Sequence, residues 1–153
     1  MKPILDPCCG SKMFYFDKDN ALVLFCDNRD EEKALCDGRR LEVHPDKVID
    51  FRDMPFEDES FPLVIFDPPH LRKAGEDSYM KSKYGILPSE GWKEYLRDGF
   101  KECWRVLRQQ GTLVFKWNED QIKLHRIQDI FPAPPIMGTR NRYKTIFLVF
   151  FKP

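Results

Sequence analysis

Short apolar runs separated by polar segments dominate the first half of the chain, and each run leads into an aspartate. Within a run the apolar residues are continuous rather than alternating, which is typical of strands buried on both faces of a sheet. The pattern therefore predicts four buried strands that each end in a carboxylate. The runs span residues 3–5, 21–26, 48–49 and 62–66. The aspartates that follow them are Asp6, Asp27, Asp50 and Asp67.

The second half begins with a helical pattern, in which apolar residues recur every three or four positions. This spacing predicts a helix from Ser89 to about Leu107, with Ser89 as its N-cap and one buried face. Gly99 lies within this helix at a cost of about 1 kcal/mol relative to alanine, which indicates close approach to a neighbour. The predicted buried face consists of Trp92, Leu96, Phe100, Cys103 and Leu107. Further along we predict a strand at 112–118, a shorter helix at 119–130 and a hairpin whose last strand is 145–151.

Strands that alternate with helices predict an α/β fold with a doubly wound, mostly parallel sheet. The connection at 12–20 is too short and aromatic for a crossover helix, and the charged stretch at 28–47 suggests a small hairpin. The polar segment at 71–85 is long for a loop in a compact domain, so we expect it to gate a substrate site. Residues 1–153 are expected to form one domain.

Composition narrows the functional classes. Lys and Arg (25) balance Asp and Glu (25), so a basic surface that covers the whole molecule is excluded and any basic surface must be local. No apolar run approaches the length of a membrane span, and the first residues lack a signal-peptide pattern. Five cysteines fit reduced thiols better than a disulfide framework, so we expect a cytoplasmic protein. Cys36, Asp37 and His44 could suggest a metal site, but their spacing matches no zinc-binding pattern, so we expect a solvated loop and no metal.

The first two strand ends carry the residue types of a nucleotide-type site. Asp6 is followed by a turn that reaches Gly10, where the absent side chain lets the backbone approach a ligand. Asp27 lies 21 residues after Asp6. An acid at about that distance can accept hydrogen bonds from ribose hydroxyls, because adjacent parallel strands end at one edge. Aspartate is also a common turn residue, which explains any one of the four positions more easily than the set.

The segment Asp67-Pro68-Pro69-His70 adds chemistry at the fourth strand end. Proline stops a strand and holds the preceding residue extended, so the segment forms a stiff projection from the sheet edge. A carboxylate and a backbone carbonyl that accept the N–H bonds of an aromatic amine would make its nitrogen more nucleophilic. The ring at the fourth position can stack on a base, which is worth about 1–3 kcal/mol. A purely structural strand end is the alternative.

Three motifs resemble those of class I S-adenosylmethionine-dependent methyltransferases. The run Asp6-Pro7-Cys8-Cys9-Gly10-Ser11 is similar to the family's Asp-Pro-Phe-x-Gly-Ser-Gly motif, and Asp50 with Met54-Pro55-Phe56 resembles its Asp-x-x-x-Leu-Pro-Phe segment. Asp67-Pro68-Pro69-His70 is similar to the Asp-Pro-Pro-Tyr motif of the amino-methylating DNA enzymes. Two residues depart from the family's pattern: Lys12 stands at the third glycine, and His70 at the usual aromatic residue.

The resemblance implies a Rossmann-like sheet of seven strands in the order 3-2-1-4-5-7-6, with strand seven antiparallel. It also implies S-adenosylmethionine as the cofactor. Asp27 would hold the ribose, and Asp50 and Phe51 would contact the adenine. The residues implied for the methionine part are Asp6, Cys8 and Gly10. The catalytic residues implied for the target amine are Asp67, Pro68, Pro69 and His70.

The implied sheet order also brings a set of basic residues, the basic rim, to the edge of the site. These residues would bind phosphates of the substrate, so we expect methyl transfer to an exocyclic amine of adenine or cytosine in nucleic acid. We expect no separate target-recognition domain, which keeps a small molecule or a protein open as the acceptor. A non-catalytic binding module with a degenerate pocket is the third hypothesis. The basic rim consists of Arg72, Lys73, Lys81, Lys83, Arg140, Arg142 and Lys144. Lysines and arginines that merely face solvent are the alternative.

Overall fold

The computed structural model of the chain describes residues 2–35, 37–75, 79–139 and 144–153. These residues form a mixed α/β fold in which strands outnumber helices. The strands are β1 (Ile4–Asp6), β2 (Val23–Asp27), β3 (Glu31–Ala34), β4 (Arg40–Val43), β5 (Lys47–Val48), β6 (Phe61–Phe66), β7 (Leu107–Asn118), β8 (Met137–Gly138) and β9 (Thr145–Phe151). The helices are α1 (Tyr79–Tyr84) and α2 (Trp92–Val106), with two 3-10 turns at Leu124–Arg126 and Gln128–Ile130.

Seven of the strands form one mostly parallel sheet in the order β5-β2-β1-β6-β7-β9-β8. The central strand β1 pairs in parallel with β2 on one side and with β6 on the other. Ile4 therefore lies opposite both Val23 and Leu63. Strand β9 runs in the opposite direction to the other strands of this sheet, since it pairs antiparallel with β7 and β8. The carboxyl ends of β1, β2 and β6 consequently meet at one edge of the sheet.

The connections near this edge are short and contain little helix. Residues 7–22 between β1 and β2 form turns, without an α-helix. The excursion after β2 is the antiparallel β3–β4 hairpin, as the charge and turn pattern predicted. Of the described connections, those on the β1–β2–β5 side of the sheet thus carry turns or a hairpin where a doubly wound sheet would carry crossover helices.

The predicted helix at 119–130 was wrong, because only two single 3-10 turns form there. Local polar groups compete for the bonds that a helix would need. The indole nitrogen of Trp117 donates to the carbonyl of Ile122 (2.9 Å), and the Glu119 carboxylate accepts from the N–H of Leu124 (2.7 Å). These contacts fold the segment back onto the end of β7 instead of into a continuous helix.

The helix predicted from Ser89 forms as α2, but it begins at Trp92 and Ser89 does not cap it. The N-cap residue is Gly91, whose φ of 65° is one that side chains rarely adopt. The predicted buried face is otherwise present, since Leu96, Phe100 and Cys103 are fully buried against the sheet. Phe100 packs edge-on or tilted against several core rings, which are Phe66, Phe115, Phe131 and Phe150.

Gly99 explains how closely α2 approaches the sheet. A Cβ atom placed on Gly99 would lie 2.6 Å from a ring carbon of Phe51 and 2.8 Å from one of Phe66. Both rings are buried, and Phe51 also packs edge-on against Phe66 and Tyr95. The close approach predicted from the sequence is therefore present, and it fixes the position of Phe51 at the sheet edge.

Replacing Gly99 by alanine is expected to destabilise the protein by about 1–3 kcal/mol, because the new methyl group overpacks two buried rings. The higher helix propensity of alanine, about 1 kcal/mol, offsets only part of this cost. Urea unfolding would measure the difference. Gly75→Ala is the matched control, because a Cβ there meets no atom within 4 Å. Equal unfolding free energies for the two variants would contradict the packing described here.

Candidate functional site

Asp6 lies at the end of β1 and is fully buried. Its Oδ1 accepts a hydrogen bond from the backbone N–H of Cys8 (3.1 Å), and its Oδ2 accepts one from the hydroxyl of Tyr15 (2.8 Å). Burial raises the pKa of Asp6 to about 7, although both hydrogen bonds act in the opposite direction. The buried carboxyl group therefore stabilises the conformation of the turn that follows β1.

Asp27 joins the ends of β1 and β2. Its Oδ2 accepts a hydrogen bond from the N–H of Gly10 (2.8 Å), and its Oδ1 accepts from the backbone N–H and the Nε of Arg29 (both 3.1 Å). Gly10 has φ +51°, so a side chain at this position would strain the backbone. The turn that follows β1 is thus fastened to the neighbouring strand by a buried carboxylate.

Asp67 follows β6 directly and forms an ion pair with Lys116 of β7. The Nζ of Lys116 lies 2.5 Å from Oδ2 of Asp67, and both side chains are largely buried, with 17% and 14% of their surfaces exposed. Burial raises the pKa of Asp67, while Lys116 acts to lower it. The Nζ also lies 5.1 Å from the ring centre of Phe14, a cation–π distance.

The two prolines and His70 continue from Asp67 along the same edge. Pro68 is buried, and Pro69 lies against Gly85, whose Cβ position would be 3.4 Å from its ring. His70 is buried, with its ring centre 5.1 Å from that of Tyr84 and 6.2 Å from that of Trp117. Burial, reinforced by the charge of Lys116, lowers the pKa of His70 to about 4. The imidazole is therefore neutral at pH 7.

A cavity of about 260 Å³ opens at this edge between the first turn and the Asp67 segment. A smaller cavity of about 100 Å³ adjoins it on the side of His70 and Asn118. Asp67, Tyr84 and Lys116 line both cavities, so the ion pair lies at the junction between them. Six of the predicted site residues line the larger cavity: Cys8, Gly10, Asp27, Phe51, Asp67 and Pro69.

Asp50 was predicted to end a strand and contact a cofactor, but the structure places it elsewhere. The strand β5 ends at Val48, and Asp50 lies in the following turn as a half-exposed side chain. Its carboxylate is occupied by Arg52, with Nη2 to Oδ2 at 2.6 Å and Nε to Oδ1 at 3.0 Å. The next residue, Phe51, is the one that lines the larger cavity.

Of the described members of the predicted basic rim, Lys83 lines the larger cavity, whereas Arg72, Lys73, Lys81 and Lys144 line neither cavity at this edge. Arg72 donates from Nη2 to the carbonyl of Ser89 (3.0 Å), and its guanidinium lies 5.2 Å from the ring centre of Trp92. The backbone N–H groups of Arg72 and Lys73 both donate to the side chain of Gln121. These contacts hold the loop against the start of α2 and against the segment that follows β7. Arg140 and Arg142 lie outside the described residues.

The helix α1 covers the larger cavity and belongs to the segment predicted to gate a site. Arg29, which pairs with Asp27, also donates from Nη1 to the carbonyl of Ser82 (2.9 Å). Lys83 and Tyr84 from α1 line the cavity. A single arginine therefore joins the end of β2 to the helix above it. Residues 76–78 of the segment lie outside the described residues.

Arg29, Tyr95 and Lys116 were not predicted as site residues. Lys116 had a detectable signal, because it interrupts the apolar pattern of β7, an interior strand of the sheet. In the parallel register Phe66 lies opposite Phe115, so Asp67 and Lys116 are the next pair along the two strands. The pairing itself requires the register, which the sequence pattern does not supply.

Within the described residues, no group of three or more histidine, cysteine, aspartate or glutamate side chains could hold a metal ion. Cys8, Cys9, Cys26 and Cys103 carry free thiols, and burial raises the pKa of each, to about 12 for Cys26. Cys36 lies outside the described residues. None of the helices in the described ranges has the length and apolar character needed to cross a membrane.

Comparison with known proteins shows a likeness of fold. Neither a protein-family model nor a curated protein matches the chain. Among solved structures, the chain is similar to the PH0226 protein from Pyrococcus horikoshii OT3, with a TM-score of 0.63 and 16% sequence identity. The similarity covers 98% of this chain and 81% of that one. The mixed α/β fold with its mostly parallel sheet is therefore shared with a protein of distant sequence.

The buried carboxyl of Asp6 should make stability depend on pH. The pKa of Asp6 is about 7 in the folded state and near 3.8 when the group is exposed. At a pH between these two values, the folded protein keeps a proton on Asp6 that the unfolded chain has lost. The contribution of protonated Asp6 to the free energy of unfolding is therefore fully present below pH 4 and is lost as the pH rises to 7. Relative to Asp6→Asn, the wild type should lose up to about 1.4 kcal/mol of unfolding free energy per pH unit across this window.

Urea unfolding of both proteins at pH 4.5, 5.5, 6.5 and 7.5 would measure this difference. His70 has the opposite effect, because its pKa is lowered and its stabilising contribution grows as the pH rises from about 4 to 6.5. That effect is common to both proteins and cancels in the comparison. Parallel pH profiles for the wild type and the Asn variant would show that Asp6 is already ionised when folded.

Proposed function

We propose that the protein is an S-adenosylmethionine-dependent methyltransferase that acts on an exocyclic amine of a nucleobase. One observation carries the proposal: two strand-end motifs line a single cavity. The Gly10 turn, held by Asp27, contributes to its wall, and so do Asp67 and Pro69 of the Asp-Pro-Pro-His segment. A site of this kind at the carboxyl edge of a parallel sheet suits a cofactor on one side and an acceptor on the other.

The residues at the larger cavity fit the cofactor by their chemistry. Gly10 and Cys8 present backbone at the first turn, where the methionine part would lie. Oδ2 of Asp27 accepts one hydrogen bond from Gly10, so it retains capacity for a ribose hydroxyl. Phe51 and Tyr95 supply aromatic surface for an adenine ring. When bound, the cofactor would supply an activated methyl group.

The strand order also supports this assignment. Counted without the β3–β4 hairpin, the seven strands of the sheet lie in the order 3-2-1-4-5-7-6, which the resemblance to the methyltransferase family implies. The seventh strand of that count, β9, is antiparallel to both of its neighbours. We therefore infer a Rossmann-like arrangement with reduced helical connections.

Asp67 would act on the acceptor amine. The Oδ1 atom can accept an N–H bond from the amine, and the carbonyl of Pro68 is the second candidate acceptor. Both bonds favour a nitrogen whose lone pair is available for the methyl group. As the nitrogen gains its bond to carbon it loses one proton, and a carboxylate of raised pKa is suited to accept it.

The smaller cavity would hold the acceptor ring. Its walls include His70 and Tyr84, two flat side chains, together with Asn118 and Thr145. A neutral imidazole can stack on a base or hydrogen-bond to it. The small volume of this cavity, about 100 Å³, also favours the second candidate function, methyl transfer to a small molecule.

A wider groove of about 420 Å³ continues from the first turn across the β3–β4 hairpin and supports a phosphate-bearing acceptor. Among the cations that line it, Arg39 and Arg40 are paired with Asp37 and Glu32. The groove is also lined by three lysines and two acids, which leaves a small excess of positive charge there. The lysines are Lys12, Lys18 and Lys83, and the acids are Asp19 and Glu42.

Replacing Asp67 by asparagine is expected to lower methyl transfer by about 10²–10³-fold, because it removes an acceptor that is placed for the transition state. Affinity for S-adenosylhomocysteine should change by less than about threefold, because the cofactor would be held mainly by the first turn. Calorimetry would measure the affinity, and transfer of a radiolabelled methyl group to pools of DNA, RNA, protein and small molecules would measure activity.

Asp129→Asn is the matched control, because Asp129 is an exposed aspartate paired with Lys93 far along the chain from the site. Its activity should equal that of the wild type. Undiminished turnover in Asp67→Asn would exclude the proposed role of Asp67. Failure of the wild type to bind S-adenosylhomocysteine would exclude the methyltransferase assignment and favour a binding module.

A further inference from the structure

We propose that Lys116 determines which amines the site accepts. Its ammonium group would donate a hydrogen bond to a ring nitrogen next to the reacting amine. The acceptor class is then an amine of an amidine unit, N–C=N, as found in adenine and cytosine. This inference rests on the proposed function and names the substrate class of the same site.

The position of Lys116 is the first argument. Its Nζ lies 2.5 Å from Oδ2 of Asp67, the carboxylate that would bind the amine. The pair stands at the junction of the two cavities and lines both. An acceptor whose amine reaches Asp67 must therefore place its neighbouring atoms beside Lys116.

The unused hydrogen-bonding capacity of the pair is the second argument. In the described parts of the chain, the ammonium donates one hydrogen bond, to Oδ2 of Asp67, and Oδ1 of Asp67 accepts none. An ammonium group has three N–H donors, and a carboxylate oxygen can accept more than one bond. The pair consequently presents a free acceptor and a free donor side by side, in a place largely shielded from water.

This arrangement is complementary to a particular edge of a ligand. In adenine and cytosine an N–H donor on the exocyclic amine stands next to an unprotonated ring nitrogen that accepts. An alkyl ammonium offers donors only, and its positive charge would be repelled by Lys116. A carboxamide has a similar donor–acceptor edge, but the flat walls of His70 and Tyr84 favour an aromatic ring over it.

Nucleobase analogues test the inference directly. Single-stranded DNA and RNA oligonucleotides would carry adenine or 1-deazaadenine, and cytosine or 3-deazacytosine, at the only methylatable position. Replacing the ring nitrogen by C–H removes the atom that Lys116 would contact. We expect kcat/KM of the wild type to fall by about 10–100-fold on the deaza analogue of the accepted base, as for loss of a hydrogen bond to a charged group.

The Lys116→Met variant provides the matching half of the experiment. It should lose about the same factor on the natural base and then no longer distinguish that base from its deaza analogue. Comparing the natural-to-analogue ratio of the wild type with that of the Met variant cancels the altered reactivity of the analogue's amine, because it affects both proteins equally. Lys101→Met, at an exposed position on α2, should retain the full discrimination of the wild type. Calorimetry with S-adenosylhomocysteine would show that the Met variant is folded with an intact cofactor site.

The outcomes separate this inference from the function on which it rests. If the wild type does not bind S-adenosylhomocysteine, the proposed function fails and the inference falls with it. If it binds and methylates a natural base, but the analogue reacts equally well or the Met variant still discriminates, only the inference is overturned. If the wild type binds S-adenosylhomocysteine but methylates a glutamine peptide, or methylates no oligonucleotide, the inference is also overturned.

Discussion

The parallel pairing of β1 with both β2 and β6 is the constraint on which the rest of the site depends. Because the three strands run in the same direction and in a fixed register, they end together at one edge. Asp6, Asp27 and Asp67 end or directly follow these strands. The sheet thereby gathers three carboxyl groups where little water can reach them, and the charges of Asp67 and Asp27 both help to raise the pKa of Asp6.

On the β1–β2–β5 side, the described connections carry no crossover helices, and side chains help to hold the sheet edge there. Arg29 joins Asp27 to the backbone of α1. Arg105 of α2 acts similarly for the turn after β5, since it donates to the carbonyls of Met54 and Phe56 and to the carboxylate of Asp58. Each guanidinium binds several acceptors at once, which suits a planar group with five donors.

The parts of the structure that could be predicted from the sequence are those dictated by local pattern. Continuous apolar runs predicted β1, β2 and β6, because a parallel sheet covers both faces of its inner strands. The run at 48–49 was wrongly predicted as a buried strand, because β5 is an exposed strand at the edge of the sheet. Gly99 predicted close packing because a missing side chain within a helix usually has a steric reason. The helix at 119–130 was mispredicted because Trp117 and Glu119 bind backbone groups of this segment. The strand-end position of Asp50 was mispredicted because β5 stops two residues before it.

The least predictable features were those that depend on two distant segments meeting. Lys116 lies 49 positions from Asp67, and only the pairing of β6 with β7 brings them together. The basic residues near Arg72 looked suited to phosphates by composition, yet the backbone of this loop binds Gln121, and the guanidinium of Arg72 binds the carbonyl of Ser89 and lies over the ring of Trp92. Charge alone does not distinguish a cation that faces a ligand from one that fastens a loop.

The three gathered carboxyl groups are stabilised in different ways, and the difference indicates where chemistry can occur. Asp6 has two hydrogen-bond donors and a pKa near neutrality, and Asp27 has donors on both oxygens. Asp67 has one partner, Lys116, on one oxygen. A largely buried ion pair gives little net stability, because desolvation of both charges opposes their attraction, while loss of one partner costs about 3–5 kcal/mol. Such a pair is better explained by what it offers a ligand than by what it contributes to folding. Among the three, only Asp67 combines a fixed position at a cavity with an oxygen that accepts no hydrogen bond from the residues that the structure describes.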